Sequence, residues 1–148
     1  QKKKIRALFD EMLDYERLAK DSLGEQWAAR SEPEKKEFSE LLTQLIRNNY
    51  QRNLKKMLDY RIDYAGEQAE QHEILVKTVA KHKSDPRADT IDVSFRLADA
   101  GGRYRVVDII TEDSSLVRTY RRQFVRILKK DGFAKLTDKM KKKLADGD

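Results

Sequence analysis

The sequence predicts an α+β fold, a four-stranded antiparallel meander with N-terminal and C-terminal helices packed on one face. Two changes of period carry that expectation. Apolar residues recur every three or four positions as far as Leu58, alternate with polar ones from Tyr60, and return to helical spacing at Leu116. No repeat and no linker rich in Pro, Gly or Ser divides the 148 residues, so one domain spanning 1–148 is expected.

Ile5, Leu8, Phe9, Met12 and Leu13, then Tyr15, Leu18, Ala19 and Leu23, mark two short helices ending at Gly24. Ser31 and Glu34 form a capping box with Pro33 in the first turn. They open a helix of about 25 residues, roughly 37 Å at 1.5 Å per residue, with the stripe Phe38, Leu41, Leu42, Leu45, Ile46, Tyr50, Leu54, Met57 and Leu58. Polar Gln44, Arg47, Asn48 and Gln51 fill the opposite face, so one side is buried.

Tyr60, Ile62 and Tyr64 begin the first strand, Ile74, Val76, Thr78 and Ala80 mark the second, and Ile91, Val93, Phe95 and Leu97 the third. Gly66 to Gln71 reads as the first turn, Ser84-Asp85-Pro86 as a break, and Ala100-Gly101-Gly102-Arg103 as a tight hairpin. The fourth strand is apolar on both parities, with Tyr104, Val106 and Ile110 on one side and Val107 and Ile109 on the other, as for a strand covered on both faces. Ser114 or Ser115 is expected to cap a helix with the stripe Leu116, Val117, Tyr120, Phe124, Ile127 and Leu128, stopped at Asp131-Gly132. Phe133, Leu136, Met140 and Leu144 mark a last helix.

Composition narrows the chemistry. Without cysteine there is no disulfide, thiolate metal site or cysteine nucleophile. No window approaches 18 uninterrupted apolar residues, which excludes a membrane-spanning helix. The chain starts directly in helical periodicity, so any signal peptide is expected to have been removed.

The net charge of +6 lies wholly from Asp113 onward, where eleven basic residues face five acidic ones. Arg118, Arg122, Arg126 and Lys130 repeat every four residues beside the apolar stripe, a pattern suited to docking on an acidic partner or an anionic membrane surface, or to a solvated face. Nucleic acid is not expected, since no aromatic residue is interleaved and 21 acidic residues precede residue 113. His72 and His82 are about 33 Å apart if both lie along one strand, too far to share a metal, and no metal site is expected. Asp108, flanked by Val106 and Ile110, is either a desolvated general base in a small cone-shaped α+β enzyme or a carboxylate satisfied by an arginine or backbone amides. A protein-interaction domain is a third reading.

Two long stretches carry a family resemblance. Leu13-Asp14-Tyr15-Glu16-Arg17-Leu18-Ala19, Leu23-Gly24 and Trp27 continue through Phe38, Leu45 and Tyr50. Then come Tyr104-Arg105-Val106-Val107-Asp108-Ile109-Ile110-Thr111-Glu112, Ser115-Leu116-Val117, Tyr120-Arg121, Gln123-Phe124, Ile127-Leu128 and Asp131-Gly132-Phe133. Together they resemble the MlaC (toluene-tolerance) family of periplasmic phospholipid-binding proteins over nearly the whole chain. Asp113-Ser114 stand where that pattern has Gly-Val, and the first helix is short of the family's usual length.

The resemblance implies a periplasmic carrier, not an enzyme, that binds phospholipid as cargo without a cofactor. Its implied partners are an outer-membrane lipoprotein complex and an inner-membrane ABC transporter with an MCE-domain subunit, in the service of outer-membrane lipid asymmetry, with transient contact at the membrane surface. Two acyl chains of about 15 methylenes, at ~0.8 kcal/mol each, cost on the order of 20 kcal/mol in water, so a carrier must enclose them. A lipid cavity between sheet and helices is expected, lined by Leu42, Leu45, Ile46, Tyr50, Val76, Val93, Phe95, Val106, Leu116, Tyr120 and Phe124. Arg118, Arg122 and Arg126 are the expected docking residues, and Trp27 a structural anchor.

Overall fold

The computed structural model describes residue 7 and residues 10–146, without the side chains of Tyr50 and residues 53–57. Ile5, Leu8 and Phe9, predicted as the first helix, therefore lie outside the described residues, as do the side chains of Tyr50, Leu54 and Met57. The chain is α+β, with the elements α1 (Tyr15–Leu23), α2 (Glu25–Ala28), α3 (Glu32–Leu58), β1 (Tyr60–Glu70), β2 (Glu73–His82), β3 (Ile91–Asp99), β4 (Tyr104–Thr111), β5 (Ser114–Ser115), α4 (Leu116–Asp131) and α5 (Phe133–Ala145). It forms two compact units, one of residues 53–116 with the segment up to Asp14, the other of residues 15–52 and 117–146.

The first unit is an antiparallel sheet in the order β1-β2-β3-β4-β5, five strands where the pattern suggested four. The added strand is Ser114–Ser115, the pair expected to cap α4, where Thr111 pairs with Ser114 and Ile110 with Ser115. Glu112 and Asp113 turn the chain there with φ of 50° and 66°. That left-handed conformation costs an L-residue about 1–2 kcal/mol and glycine almost nothing, so a glycine in the family pattern at Asp113 has a backbone reason. Leu13 pairs farther along the edge of β4 that β5 also uses, through a parallel bridge to Val106, and the Asp14 amide donates to the Val106 carbonyl at 2.9 Å.

Two bulges depart from simple alternation. In β1, Tyr64 pairs with Thr78 but Gly66 with Lys77, so Ala65 is the extra residue of a bulge inside an eleven-residue strand and the turn falls at Gln71-His72. In β4, Arg96 pairs with Asp108 and Leu97 with Val106, leaving Val107 as the extra residue. The parity expected for β4 is corrected accordingly: Ile109 shares a face with Val106, and Asp108 and Ile110 share the other. The predicted glycine hairpin is present. Ala100 donates to the Arg103 carbonyl at 2.7 Å, and Asp99 Oδ1 accepts from the Gly102 amide at 2.9 Å.

The second unit is helical. The capping box forms as predicted, with the Ser31 amide donating to Glu34 Oε1 at 2.9 Å and the Glu34 amide to Ser31 Oγ at 3.3 Å. The helix it opens has 27 residues. Leu18, Ala19, Leu23, Phe38, Leu41, Leu42, Leu45, Ile46, Val117, Phe124, Leu128, Leu136 and Met140 are its buried core. Phe38, 0% exposed, meets Phe124 edge to face with centroids 5.5 Å apart. Removing that ring leaves a cavity in the buried core. Phe38→Ala is therefore expected to cost about 3–5 kcal/mol in urea unfolding, and Phe38→Leu markedly less.

Candidate functional site

The pleat sorts the first unit's side chains into two chemically different faces. Val76 opposes Phe95, Thr78 opposes Val93, Phe95 opposes Ile109 and Leu97 opposes Val106, so each pair lies on one common face. Ile74, Ala80 and Ile91 extend it, and through β1 so do Tyr60, Ile62 and Tyr64. The four predicted sheet residues, Val76, Val93, Phe95 and Val106, are thus brought together. Val106 is buried and the other three half-buried.

Toward β1 the same face opens to solvent. Ile62 is 55% and Tyr64 66% exposed. Sequence reasoning named neither as a site residue, nor Ile109, although the period-two pattern over 60–64 pointed to that face. Exposed apolar side chains that extend a half-buried apolar face make that face a candidate binding surface.

The opposite face carries ion pairs. Arg61 holds Asp63 at 2.9 Å and keeps its carboxyl below the usual range, with Lys81 at 3.5 Å beside it. Arg96 pairs with Glu70 and with Glu73. Asp108, only 9% exposed, lies on this face, not beside Val106. Its Oδ1 accepts from the Ile109 amide at 2.8 Å and its Oδ2 from Ser115 Oγ at 2.5 Å, so the carboxylate ties β4 to the corner before α4. His82 Nδ1 accepts from the amides of Ser84 and Asp85 in the loop after β2. Among the described residues no His, Asp and Glu side chains group to hold a metal ion.

In the helical unit Leu42, Leu45 and Ile46 are buried in the α3 stripe. Tyr120 stacks on Phe124 at 5.2 Å with planes 5° apart, and Phe124 in turn meets Phe38. Leu116 is half-buried at the start of α4. Trp27 is half-buried with the Lys35 ammonium 5.5 Å from its ring centre, an arrangement suited to the anchoring role.

The basic stripe lines an open groove of about 700 Å³, walled by Leu23, Gly24, Glu25 and Gln26 on one side and by α4 on the other. Arg118, Arg122 and Arg126 are there, joined by Arg121 and Lys129. Lys130, expected in the row, does not line it. A row of every fourth residue drifts by about 40° per step, so Lys130 has rotated about 120° from Arg118 while Lys129 has returned to about 20°. Arg121 Nε donates to the Asp21 carbonyl at 2.8 Å, and a Cβ at Gly24, whose φ is 56°, would lie 3.3 Å from that Nε. The glycine lets the guanidinium close over the α1–α2 corner.

The sequence matches the family model of the MlaC protein over residues 1–142. Among solved structures, the chain is similar to a phospholipid-binding protein from Ralstonia solanacearum, determined in complex with a phospholipid. That likeness has a TM-score of 0.85 at 17% identity and covers 99% of this chain and 84% of the other. No curated protein matches the sequence.

Burial raises the Tyr120 phenol above its ordinary value of 10.0, an effect opposed in part by the charge of Arg52. A raised acid contributes stability below pH 10.0 that is lost as the pH climbs through its folded value. Alkaline absorbance titration should show a late step from Tyr120. Tyr120→Phe should remove that step and flatten the alkaline fall in stability.

Proposed function

The chain belongs to the MlaC family, and from that premise we propose that it binds phospholipid and carries it through the periplasm. Its cargo would pass between an outer-membrane lipoprotein complex and an inner-membrane ABC transporter with an MCE-domain subunit. The observation that carries this reading is the one-sided sheet. Its apolar face runs from Val106 through Phe95, Val93 and Val76 and ends in exposed Ile62 and Tyr64, while the reverse face is laced with ion pairs. An acyl chain of about 16 carbons is roughly 20 Å long, and the three strand spacings of ~4.8 Å between β1 and β4 cover ~14 Å of it. A tail laid across the strands therefore meets apolar side chains along most of its length.

In this reading Val76, Val93, Phe95 and Val106, together with Ile62, Tyr64 and Ile109, contact acyl chains. Leu42, Leu45, Ile46, Tyr50, Leu116, Tyr120 and Phe124 are proposed as further lipid-contacting residues. The protein acts by binding and release, with no covalent chemistry on the lipid. Asp108 has an architectural use that accounts for its burial, since both carboxylate oxygens accept hydrogen bonds at the β4–β5 corner.

Protein purified without detergent should release on the order of one phospholipid per chain on organic extraction, as native mass spectrometry would also show. Ile62 and Tyr64 are exposed, so Ile62→Glu with Tyr64→Glu should leave the melting temperature nearly unchanged and lower the extracted lipid several-fold. Lipid-free wild-type protein that takes up no fluorescent phospholipid from vesicles would overturn the carrier reading.

Leu45, 5% exposed, separates a lining position from packed core. An unpaired carboxylate in a dry core costs at least several kcal/mol, a large part of a domain's ~5–15 kcal/mol. If Leu45 lines the site, Leu45→Glu stays folded with a modest drop in melting temperature and loses its lipid. Global unfolding of that variant, with Leu45→Ala still folded and lipid-bound, would place Leu45 in packed core.

A further inference from the structure

The groove beside α4 gathers five cations, Arg118, Arg121, Arg122, Arg126 and Lys129, against one carboxylate, Glu25. Arg122, Arg126 and Lys129 are exposed, and none of the ion pairs among the described residues involves them. Like charges held this close raise the energy of the unliganded surface, and an anionic occupant relieves it. We propose that this groove binds an acidic segment of a partner polypeptide in extended conformation, with its acidic side chains on alternate residues.

Spacing selects that occupant. Arg118, Arg122 and Arg126 stand four residues apart on one helix, so successive side chains rise by about 6 Å along the axis. Alternate residues of an extended chain are about 6.7 Å apart on one side. The mismatch of under ~1 Å per step is well within the reach of an arginine side chain, so a carboxylate can meet each guanidinium in turn, two oxygens to two N–H groups. The span from Arg118 to Lys129, about 16 Å, accommodates roughly five extended residues.

The shape argues against the alternatives. A bilayer surface is flat on this scale, whereas Leu23, Val125 and the Gly24 corner set the basic groups around a concavity. No aromatic side chain lines the groove to stack a base, as single-stranded nucleic acid recognition requires. Arg121, already bonded to the Asp21 carbonyl, forms a fixed wall at one end. The inference gives the docking expectation of the carrier reading a definite partner chemistry, but it stands on the groove alone.

The test uses the full chain and a fluorescent peptide alternating serine with glutamate, read by anisotropy at low and high salt. Binding is expected to weaken as salt rises and to fall roughly tenfold or more in Arg122→Gln, Arg126→Gln, Lys129→Gln combined. The matching removal of three charges from α5, Lys139→Gln, Lys142→Gln, Lys143→Gln, should change it by less than about twofold. A peptide of the same composition with its glutamates in one block should bind more weakly.

Equal loss in the α5 variant, or equal binding of the block peptide, would overturn the proposal in favour of undirected charge attraction. So would displacement of the peptide by a single-stranded oligonucleotide at lower concentration than by unlabelled peptide. Absent peptide binding together with Arg122-dependent sedimentation on phosphatidylglycerol vesicles would assign the groove to a membrane surface instead. Extracted lipid per chain is measured on every variant. Wild-type protein that binds the peptide but neither carries lipid nor takes it up from vesicles refutes the carrier reading and leaves this one standing, whereas unchanged lipid without peptide binding does the reverse.

Discussion

Successive residues of a β-strand point to opposite faces, and one inserted residue exchanges the faces for everything beyond it. Much of the first unit follows from where two such insertions fall. The bulge at Val107 turns Ile109 onto the side of Phe95 and Val106 and sends Asp108 to the other side, where Arg96 is its cross-strand neighbour. The insertion of Ala65 sets Ala69 opposite Ile74 and brings Glu70 to the face where it pairs with Arg96. Without them, Asp108 would stand on the apolar surface. With them, one side of β1 to β3 is largely aliphatic and aromatic and the other is crossed by charge pairs.

The two faces differ in energetic weight. The exposed pairs Arg61–Asp63 and Asp63–Lys81 contribute little to stability, because water screens them. Their consequence is chemical. They mark the reverse face at β1 and β2 as polar, in contrast to the apolar side chains of the other face. Thr78 fits that division because its hydroxyl donates to the Val93 carbonyl at 2.5 Å, which satisfies the polar group where it is buried.

The helical unit separates its functions by direction around α4. Val117, Phe124 and Leu128 point into the core, and the cations one or two positions away line the groove. Because Val117, Phe124 and Leu128 are buried, the basic side chains are carried on a helix anchored along its other face. The corner before that helix shows what the family pattern encodes. Glu112 and Asp113 both adopt positive φ, and Asp108 binds Ser115 across the turn, so the geometry persists although the glycine does not.

Much was legible before any coordinates. Periodicity determined the α+β class and the order of elements, because 3.6-residue and two-residue repeats cannot be confused over stretches as long as 32–58 or 91–99. The Ser31–Glu34 box and the Gly101-Gly102 hairpin were readable because local chemistry alone specifies them. The family resemblance, carried by two ordered motifs, extends over most of the chain.

The bulges were not legible. They depend on register with a neighbouring strand, and Val107 carries no local mark of being the extra residue. The same reason hid the surroundings of Asp108, the sharing of one face by Ile62, Tyr64, Val76 and Phe95, and Lys129 as the fifth cation of a groove whose other wall lies about a hundred residues earlier in the sequence. Sequence by itself determined which elements form, because local periodicity and capping suffice for that. Only the tertiary structure decided which side chains meet, because pairing register and the closing of distant segments are properties of no single stretch of chain.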